Sequence, residues 1–312
     1  MLKWKGVFPA ITTKFTATDK LDIDMFLKGV EAQLEAGVNG IILGGSLGEA
    51  STLSDYEKEV LVKETVDWVA GRVPVVLTIA EQATKKAIQL VEKAADFGLS
   101  GYMALPPMRY KADERETVVF FTEIAHATEL PIMIYNNPID YKIMVTLDMF
   151  EELAQCPNIL AVKDSTRDLN QVTKMKNRFG DRFKVFGGVD PLALESLVLG
   201  ADGWVAGLVC AFPRETVAIY RLVKEGRVAE ALTIYRWFFP LLELDIHPKL
   251  VQYIKLAEVA TGLGTEYVRA PRLPLIGEER QEVLKIIEES LISRPELPVW
   301  DEAEVTAIAK SL

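Results

Sequence analysis

A lysine inside an apolar run is the residue of this sequence best suited to covalent chemistry. Lys163 follows the run ILAV at 159–162, a pattern typical of a buried strand. Burial disfavours the charged ammonium and lowers the lysine pKa, which leaves a neutral amine able to attack a carbonyl carbon. The same pattern also fits a lysine that reaches solvent at a strand end, or one that pairs with Asp164 or Glu49.

A tyrosine stands at the matching place one predicted strand earlier. Tyr135 ends the apolar run PIMI at 131–134. The ends of adjacent strands lie within side-chain reach of each other, so a phenol here could carry protons to and from the oxygen that an attacking amine displaces. An aromatic ring that only fills the top of a barrel would give the same pattern.

Two glycine-rich turns could bind the polar parts of a substrate. In the segment GGSLGE at 44–49, backbone amides near Gly45 and Leu47 and the Ser46 hydroxyl would suit a carboxylate. In the segment GGVD at 187–190, Gly188 could offer backbone groups and Asp190 its carboxylate to substrate hydroxyls. Asp190 would serve equally well as a helix cap.

Composition excludes several classes of function. The formal net charge of −10 argues against nucleic acid or an anionic membrane surface as a partner. No segment approaches the ~18 uninterrupted apolar residues of a membrane span, and the N-terminus lacks a signal peptide, so we expect a cytoplasmic protein. Cys156 and Cys210 lack disulfide or zinc spacing and are predicted to be plain buried residues. His126 and His247 are unpaired, so no metal site is predicted.

The elements that must position these residues repeat along the chain. Apolar, β-branched runs recur roughly every 25 to 30 residues, each followed by helical periodicity, which indicates βα units with a parallel sheet. The GxGxxG signature of an open doubly wound sheet is absent, so eight units favour a closed (β/α)8 TIM barrel. The predicted strands are 6–12, 37–45, 73–80, 98–107, 130–138, 159–165, 183–190 and 201–208.

The last part of the chain has helical patterns without strand signals. We therefore predict a catalytic barrel domain over 1–225 and a small C-terminal helical extension over 226–312, with helices at 227–245, 247–262 and 275–290. The tail could pack on the barrel or on a partner subunit. In a barrel of this class the active site forms at the carboxyl ends of the strands, where Lys163, Tyr135 and Ser46 are all predicted to lie.

In their order along the chain, GSLGE, YNNP, KDS and GGVD resemble the motifs of the N-acetylneuraminate lyase and dihydrodipicolinate synthase family. The resemblance covers nearly the whole chain. It implies that Lys163 forms a Schiff base with a small 2-keto acid, that Tyr135 is the acid/base phenol, and that Ser46 with the Leu47 amide binds the substrate carboxylate. It also implies no metal, no organic cofactor, and a homotetramer built as a dimer of dimers.

Three positions depart from the synthase pattern. Leu47 replaces a second hydroxyl residue, Asp140 stands where the synthases carry a carboxylate-binding arginine, and Arg109 replaces a relay tyrosine. We therefore expect aldol cleavage, dehydration or deamination through a Lys163 iminium rather than a typical synthase. One such family member is the 1-pyrroline-4-hydroxy-2-carboxylate deaminase of hydroxyproline breakdown. A non-catalytic barrel that binds keto acids is the alternative from another class.

Overall fold

The computed structural model describes residues 2–107 and 110–300. Its strands are short and almost wholly buried, as the continuous apolar runs predict for strands covered on both faces. Each observed strand lies within its predicted run, because the run also includes residues of the flanking turns. The strands are β1 (Gly6–Pro9), β2 (Ile41–Leu43), β3 (Val75–Ile79), β4 (Gly101–Ala104), β5 (Ile132–Asn136), β6 (Ile159–Asp164), β7 (Lys184–Gly187) and β8 (Gly203–Ala206).

The eight strands form a closed parallel barrel. They pair in the order β1-β8-β7-β6-β5-β4-β3-β2, and every pairing is parallel. A parallel bridge between Ala10 and Ile42 joins the two ends of this series, with the Ile11 amide 3.0 Å from the Ile42 carbonyl oxygen. Closure places the carboxyl ends of all eight strands around one mouth. The predicted (β/α)8 fold is confirmed.

Helices follow the strands and cover the outside of the barrel. Ser54 and Glu57 form a capping box at the start of the second helix, and Asp22 caps the first. The barrel helices are α1 (Ile23–Ala36), α2 (Asp55–Val69), α3 (Thr84–Ala94), α4 (Glu114–His126), α5 (Pro138–Tyr141), α6 (Leu147–Leu153), α7 (Asn170–Phe179), α8 (Ala193–Val198) and α9 (Pro213–Lys224).

The C-terminal extension is helical, as predicted, and it packs over the mouth of the barrel. It contains α10 (Val228–Leu242), a short 3-10 turn (Glu243–Ile246), α11 (Leu250–Ala260) and α12 (Gly277–Ile292). Two fully buried ion pairs join α11 to the loops after β1 and β2: Lys14 lies 2.6 Å from Glu258, and Lys255 lies 2.5 Å from Glu49. The extension is therefore built into the part of the molecule that carries the site.

Two further expectations concern single features. Cys156 and Cys210 are both free and buried, which confirms that prediction. Among the helices of the described ranges, none has the length and apolar character needed to cross a membrane.

Candidate active site

A cavity of about 460 Å³ opens at the mouth of the barrel, where the carboxyl ends of the strands meet. A larger cavity of about 940 Å³ lies at the opposite end, lined by residues that precede the strands, such as Asn39, Pro74 and Pro131. A lysine, two tyrosines and two aspartates converge on the mouth, which is also where enzymes of this fold place their sites. The side chains around the mouth include Ser46, Leu47, Tyr135, Asp140, Tyr141, Lys163, Arg167, Asp245 and His247.

Lys163 lies on β6, and its side chain lines this cavity. The side chain is 8% exposed, and burial lowers its pKa against the opposing charges of nearby carboxyl groups. Within the described residues no carboxylate oxygen lies within 4 Å of the amine. Glu49 is paired with Lys255 instead. The neutral amine that covalent chemistry requires is therefore favoured here.

Tyr135 lies beside this amine, because β5 and β6 pair with Tyr135 directly opposite Lys163. The lysine nitrogen lies 4.1 Å from the centroid of the phenol ring. The Asn137 side-chain amide donates a hydrogen bond of 3.1 Å to the phenol oxygen. Burial raises the pKa of Tyr135 to about 12, so the phenol holds its proton at neutral pH and can act as an acid.

Ser46 lies on the opposite side of the cavity, in the turn after β2. Its hydroxyl oxygen is 2.5 Å from the hydroxyl oxygen of Tyr141, a residue that sequence reasoning did not single out. The Tyr141 ring meets the Tyr135 ring edge to face, with centroids 5.4 Å apart. Gly45 and Leu47 line the same side, and Leu47 makes it partly apolar. The two hydroxyls and the glycine-rich turn form a polar wall opposite Lys163.

Asp140 lies at the rim of the cavity and is exposed. One of its carboxylate oxygens accepts a hydrogen bond of 2.7 Å from the Asn137 side chain, which also binds the Tyr135 phenol. The carboxylate is thus linked to the phenol through one amide group. Arg109, the other rim residue expected from sequence, lies outside the described residues.

Asp190 does not reach the cavity, although it was predicted to contact substrate hydroxyls. It is fully buried, and its carboxylate accepts hydrogen bonds from the Trp204 indole at 2.9 Å and the Leu208 amide at 2.7 Å, with the Gly207 amide as a third donor. It holds the turn after β8. Asp190 stays away from the cavity because these donors already satisfy its carboxylate inside the protein.

Gly188 does line the cavity, beside Lys163. A β-carbon added at this position would clash with the Ser165 hydroxyl and lie 2.7 Å from Cγ of Lys163. The carbonyl oxygen of Gly188 accepts a hydrogen bond of 2.8 Å from Ser165. The missing side chain therefore provides the space in which the lysine lies, and a contact of Gly188 with substrate stays a prediction.

The C-terminal extension supplies two cavity residues that sequence reasoning missed, Asp245 and His247. Burial, with the nearby charge of Asp190, raises the pKa of Asp245 to about 8. The signal in the sequence was a lone aspartate within the apolar segment FFPLLELDI. Arg167, in the loop after β6, also lines the cavity and was missed, because nothing in the sequence distinguishes it from other arginines.

Taken together, the cavity contains an amine of lowered pKa, a protonated phenol, a hydroxyl pair on the far wall and a carboxyl group of raised pKa. An amine and a phenol side by side are suited to imine formation with a carbonyl compound. The hydroxyl pair and turn amides are suited to the carboxylate of the same compound.

Comparisons with known proteins agree with this geometry. The model of the dihydrodipicolinate synthetase family matches residues 3–290. A 4-hydroxy-tetrahydrodipicolinate synthase from Exiguobacterium sibiricum is 32% identical over 276 residues, which cover 88% of this chain and 92% of that protein. A dihydrodipicolinate synthase structure from Bacillus anthracis is 28% identical, with a TM-score of 0.89 over 95% of this chain and all of the other. The chloride-inhibited synthase from Acinetobacter baumannii, complexed with pyruvate, is 27% identical, with a TM-score of 0.87 over 93% of this chain and all of that one.

Proposed function

The chain belongs to the dihydrodipicolinate synthetase family of class I, Schiff-base lyases, and from this premise we propose that Lys163 condenses with a small 2-keto acid or its cyclic imine. The observation that carries the proposal is the position of the lysine amine, which is buried, free of a carboxylate partner among the described residues, and 4.1 Å from the Tyr135 ring. A lysine kept for stability alone would instead pair with an acidic group, as Lys14 and Lys255 do.

In the proposed reaction the Lys163 amine attacks the keto carbon and its nitrogen passes one proton to the oxygen. Tyr135 supplies the second proton, and the oxygen departs as water. The Ser46 hydroxyl and the turn amides hold the carboxylate on the far wall. The resulting iminium withdraws electrons from the neighbouring carbons, so that a bond one or two carbons away can break or form. A cavity of about 460 Å³ suits a compact substrate.

Trapping with pyruvate and borohydride tests imine formation directly. Pyruvate is the smallest 2-keto acid, and reduction makes its imine permanent. We expect intact-protein mass spectrometry to find one reduced pyruvyl group, located on Lys163 by peptide mapping and absent from Lys163→Met. Lys63→Met, which removes a half-exposed lysine of α2, is the matched control and should be labelled as the wild type is. An unlabelled wild-type protein that pyruvate nevertheless stabilises against heat would instead support a non-catalytic binding barrel.

The second candidate is the deamination of 1-pyrroline-4-hydroxy-2-carboxylate. It is favoured by the carboxyl groups of Asp140 and Asp245 on the cavity wall. Where a synthase of this family is expected to hold an arginine for a second substrate carboxylate, Asp140 presents a negative charge. A carboxylate at this point favours a substrate that brings a hydroxyl or a nitrogen to the rim.

Product analysis separates the reactions that can follow imine formation. Wild-type protein is incubated separately with 4-hydroxy-2-keto acids and with the cyclic imine, and pyruvate, ammonia and 2-ketoglutarate semialdehyde are each quantified. Pyruvate release would identify an aldolase. Ammonia with the semialdehyde would identify the deaminase, and the semialdehyde or another dehydrated keto acid without ammonia would identify a dehydratase.

Assembly and location remain proposals that rest on the family resemblance. We propose a homotetramer, a dimer of dimers, in the cytoplasm, with no nucleic acid or membrane partner. Light scattering of the purified 34.8-kDa chain should give about four chain masses. A monomeric mass would contradict the assembly without affecting the site described above.

A further inference from the structure

The carboxyl group of Asp245 enters the cavity from outside the barrel. Asp245 lies in the 3-10 turn that follows α10, and it lines the cavity together with Lys163. One carboxyl oxygen lies so close to Gly207 that a β-carbon added there would be 2.5 Å away. The other is 3.4 Å from the Asp190 amide. The carboxyl group is therefore held over the ends of β7 and β8, with one edge open to the cavity.

The position of Asp245 matters because of the direction in which a bound keto acid must extend. With its second carbon on the Lys163 nitrogen and its carboxylate at Ser46, the acid crosses the mouth from β6 to β2. Its third carbon can then turn either toward β5 or toward β7 and β8. The first side is filled by the packed rings of Tyr135 and Tyr141. On the second side, the carboxyl group lining the cavity among the described residues is that of Asp245, and His247 follows it two positions later.

The groups that face Asp245 come from several elements. Asp190 lies behind it and is itself hydrogen-bonded to the turn after β8. Burial and this neighbouring negative charge raise the pKa of Asp245 to about 8, and the positive charge of Lys163 opposes the shift. A group that titrates near neutral pH can both accept and return a proton. The other titratable or charged groups around the cavity are Tyr135, Asp140, Tyr141, Arg167 and His247.

We propose that Asp245 is a catalytic residue that moves the proton at the third carbon of the imine-bound keto acid. In this step the bond between the third carbon and its hydrogen breaks, and the proton passes to the Asp245 carboxylate. The electron pair forms a double bond between the second and third carbons, and the iminium becomes a neutral enamine. The reverse transfer, from the carboxylic acid to the third carbon, regenerates the iminium. The proposal rests on the proposed function, because it requires the Lys163 imine.

Hydrogen exchange into pyruvate tests this step without knowledge of the natural substrate. Pyruvate is incubated with the full-length protein in deuterium oxide, and loss of the methyl proton signal is followed by NMR. In parallel, borohydride trapping measures the fraction of protein present as imine. Asp245→Asn is the test variant, and Asp55→Asn, which alters an exposed aspartate of α2, is the matched control.

We expect Asp245→Asn to form the trapped adduct as the wild type does. Its exchange of the pyruvate methyl hydrogens should be at least about 100-fold slower, and Asp55→Asn should exchange them at the wild-type rate. Wild-type exchange, divided by the imine fraction at each pH, should rise with pH and level off above about pH 8, because the carboxylate is the base. A rate of hydrogen exchange in Asp245→Asn equal to that of the wild type would overturn the proposal. If Asp245→Asn forms no adduct, the pH dependence of exchange in the wild type is the test. Exchange per imine that does not change between about pH 6 and 9 would overturn the proposal. An unlabelled wild-type protein would instead overturn the proposed function.

Discussion

Around Lys163, the hydroxyl groups are connected within one chain. Ser46 and Tyr141 are 95 positions apart in sequence, yet their hydroxyl oxygens are 2.5 Å apart in the folded protein. Tyr141 also packs against Tyr135, so its side chain connects the Ser46 side of the cavity with the Tyr135 side. Tyr141 thus places a phenol beside Ser46. By the family resemblance, Arg109 occupies the position at which the synthases carry a relay tyrosine. All three of these hydroxyl groups belong to one chain.

Replacement of Tyr141 by phenylalanine removes the hydroxyl partner of Ser46 and keeps the ring. We expect the rate of borohydride-trappable imine formation with pyruvate to fall about tenfold or more, because a proton carrier and a carboxylate contact are both weakened. The thermal midpoint should change little. Tyr56→Phe, at a 74% exposed position on α2, is the matched control. A wild-type rate in Tyr141→Phe would show that the hydroxyl pair does not take part.

Among the elements, α11 has the closest electrostatic connection to the site. It carries Lys255 and Glu258, which are paired with Glu49 and Lys14 in the loops after β2 and β1. Glu49 follows the GSLG turn directly, so the pair anchors the turn that holds Ser46. The Lys255 amine also donates a hydrogen bond of 2.6 Å to the Tyr267 carbonyl oxygen. A buried pair of this kind is costly to break from one side, because the remaining charge has no partner.

A double-mutant cycle on Glu49 and Lys255 measures this connection. We expect Glu49→Gln and Lys255→Met each to lower the free energy of unfolding by about 3–5 kcal/mol, and the double variant to lose less than the sum, since it removes both fully buried charges of the pair. Urea unfolding gives the values. The partly exposed pair of Glu59 and Lys63 is the comparison, and Glu59→Gln should lower the free energy of unfolding far less. Additive losses across the buried pair would contradict the expected coupling.

At the scale of the whole molecule, the barrel and the helical extension share one site. The extension contributes Asp245 and His247 to the cavity, and its helices bury apolar residues such as Phe238 and Ile254. Two of its charged residues neutralise buried charges of the barrel loops. We therefore infer that the division at residue 225 separates two sequence patterns but not two independently folding units.

Truncation after residue 225 tests this inference. The shortened chain would expose the apolar surface that α10 and α11 cover and would leave Lys14 and Glu49 without their ion-pair partners Glu258 and Lys255. We expect it to lack a cooperative thermal unfolding transition by circular dichroism. A chain of residues 1–300, which keeps every contact described above, is the control and should unfold cooperatively. A cooperative transition in the 1–225 chain would support an independent barrel domain.

The sequence by itself determined the barrel, because eight apolar runs at regular spacing have few ways to bury both faces other than a closed parallel sheet. It also placed Lys163, Tyr135 and Ser46 at the carboxyl ends of their strands, since motif positions relative to the strands are local. Tertiary structure alone decided that Asp190 is satisfied by Trp204 and Leu208 and that Asp245 faces the cavity. These contacts join residues from separate elements. Closure of the barrel and docking of the C-terminal helices determine which residues come into contact, and no local sequence pattern describes either of them.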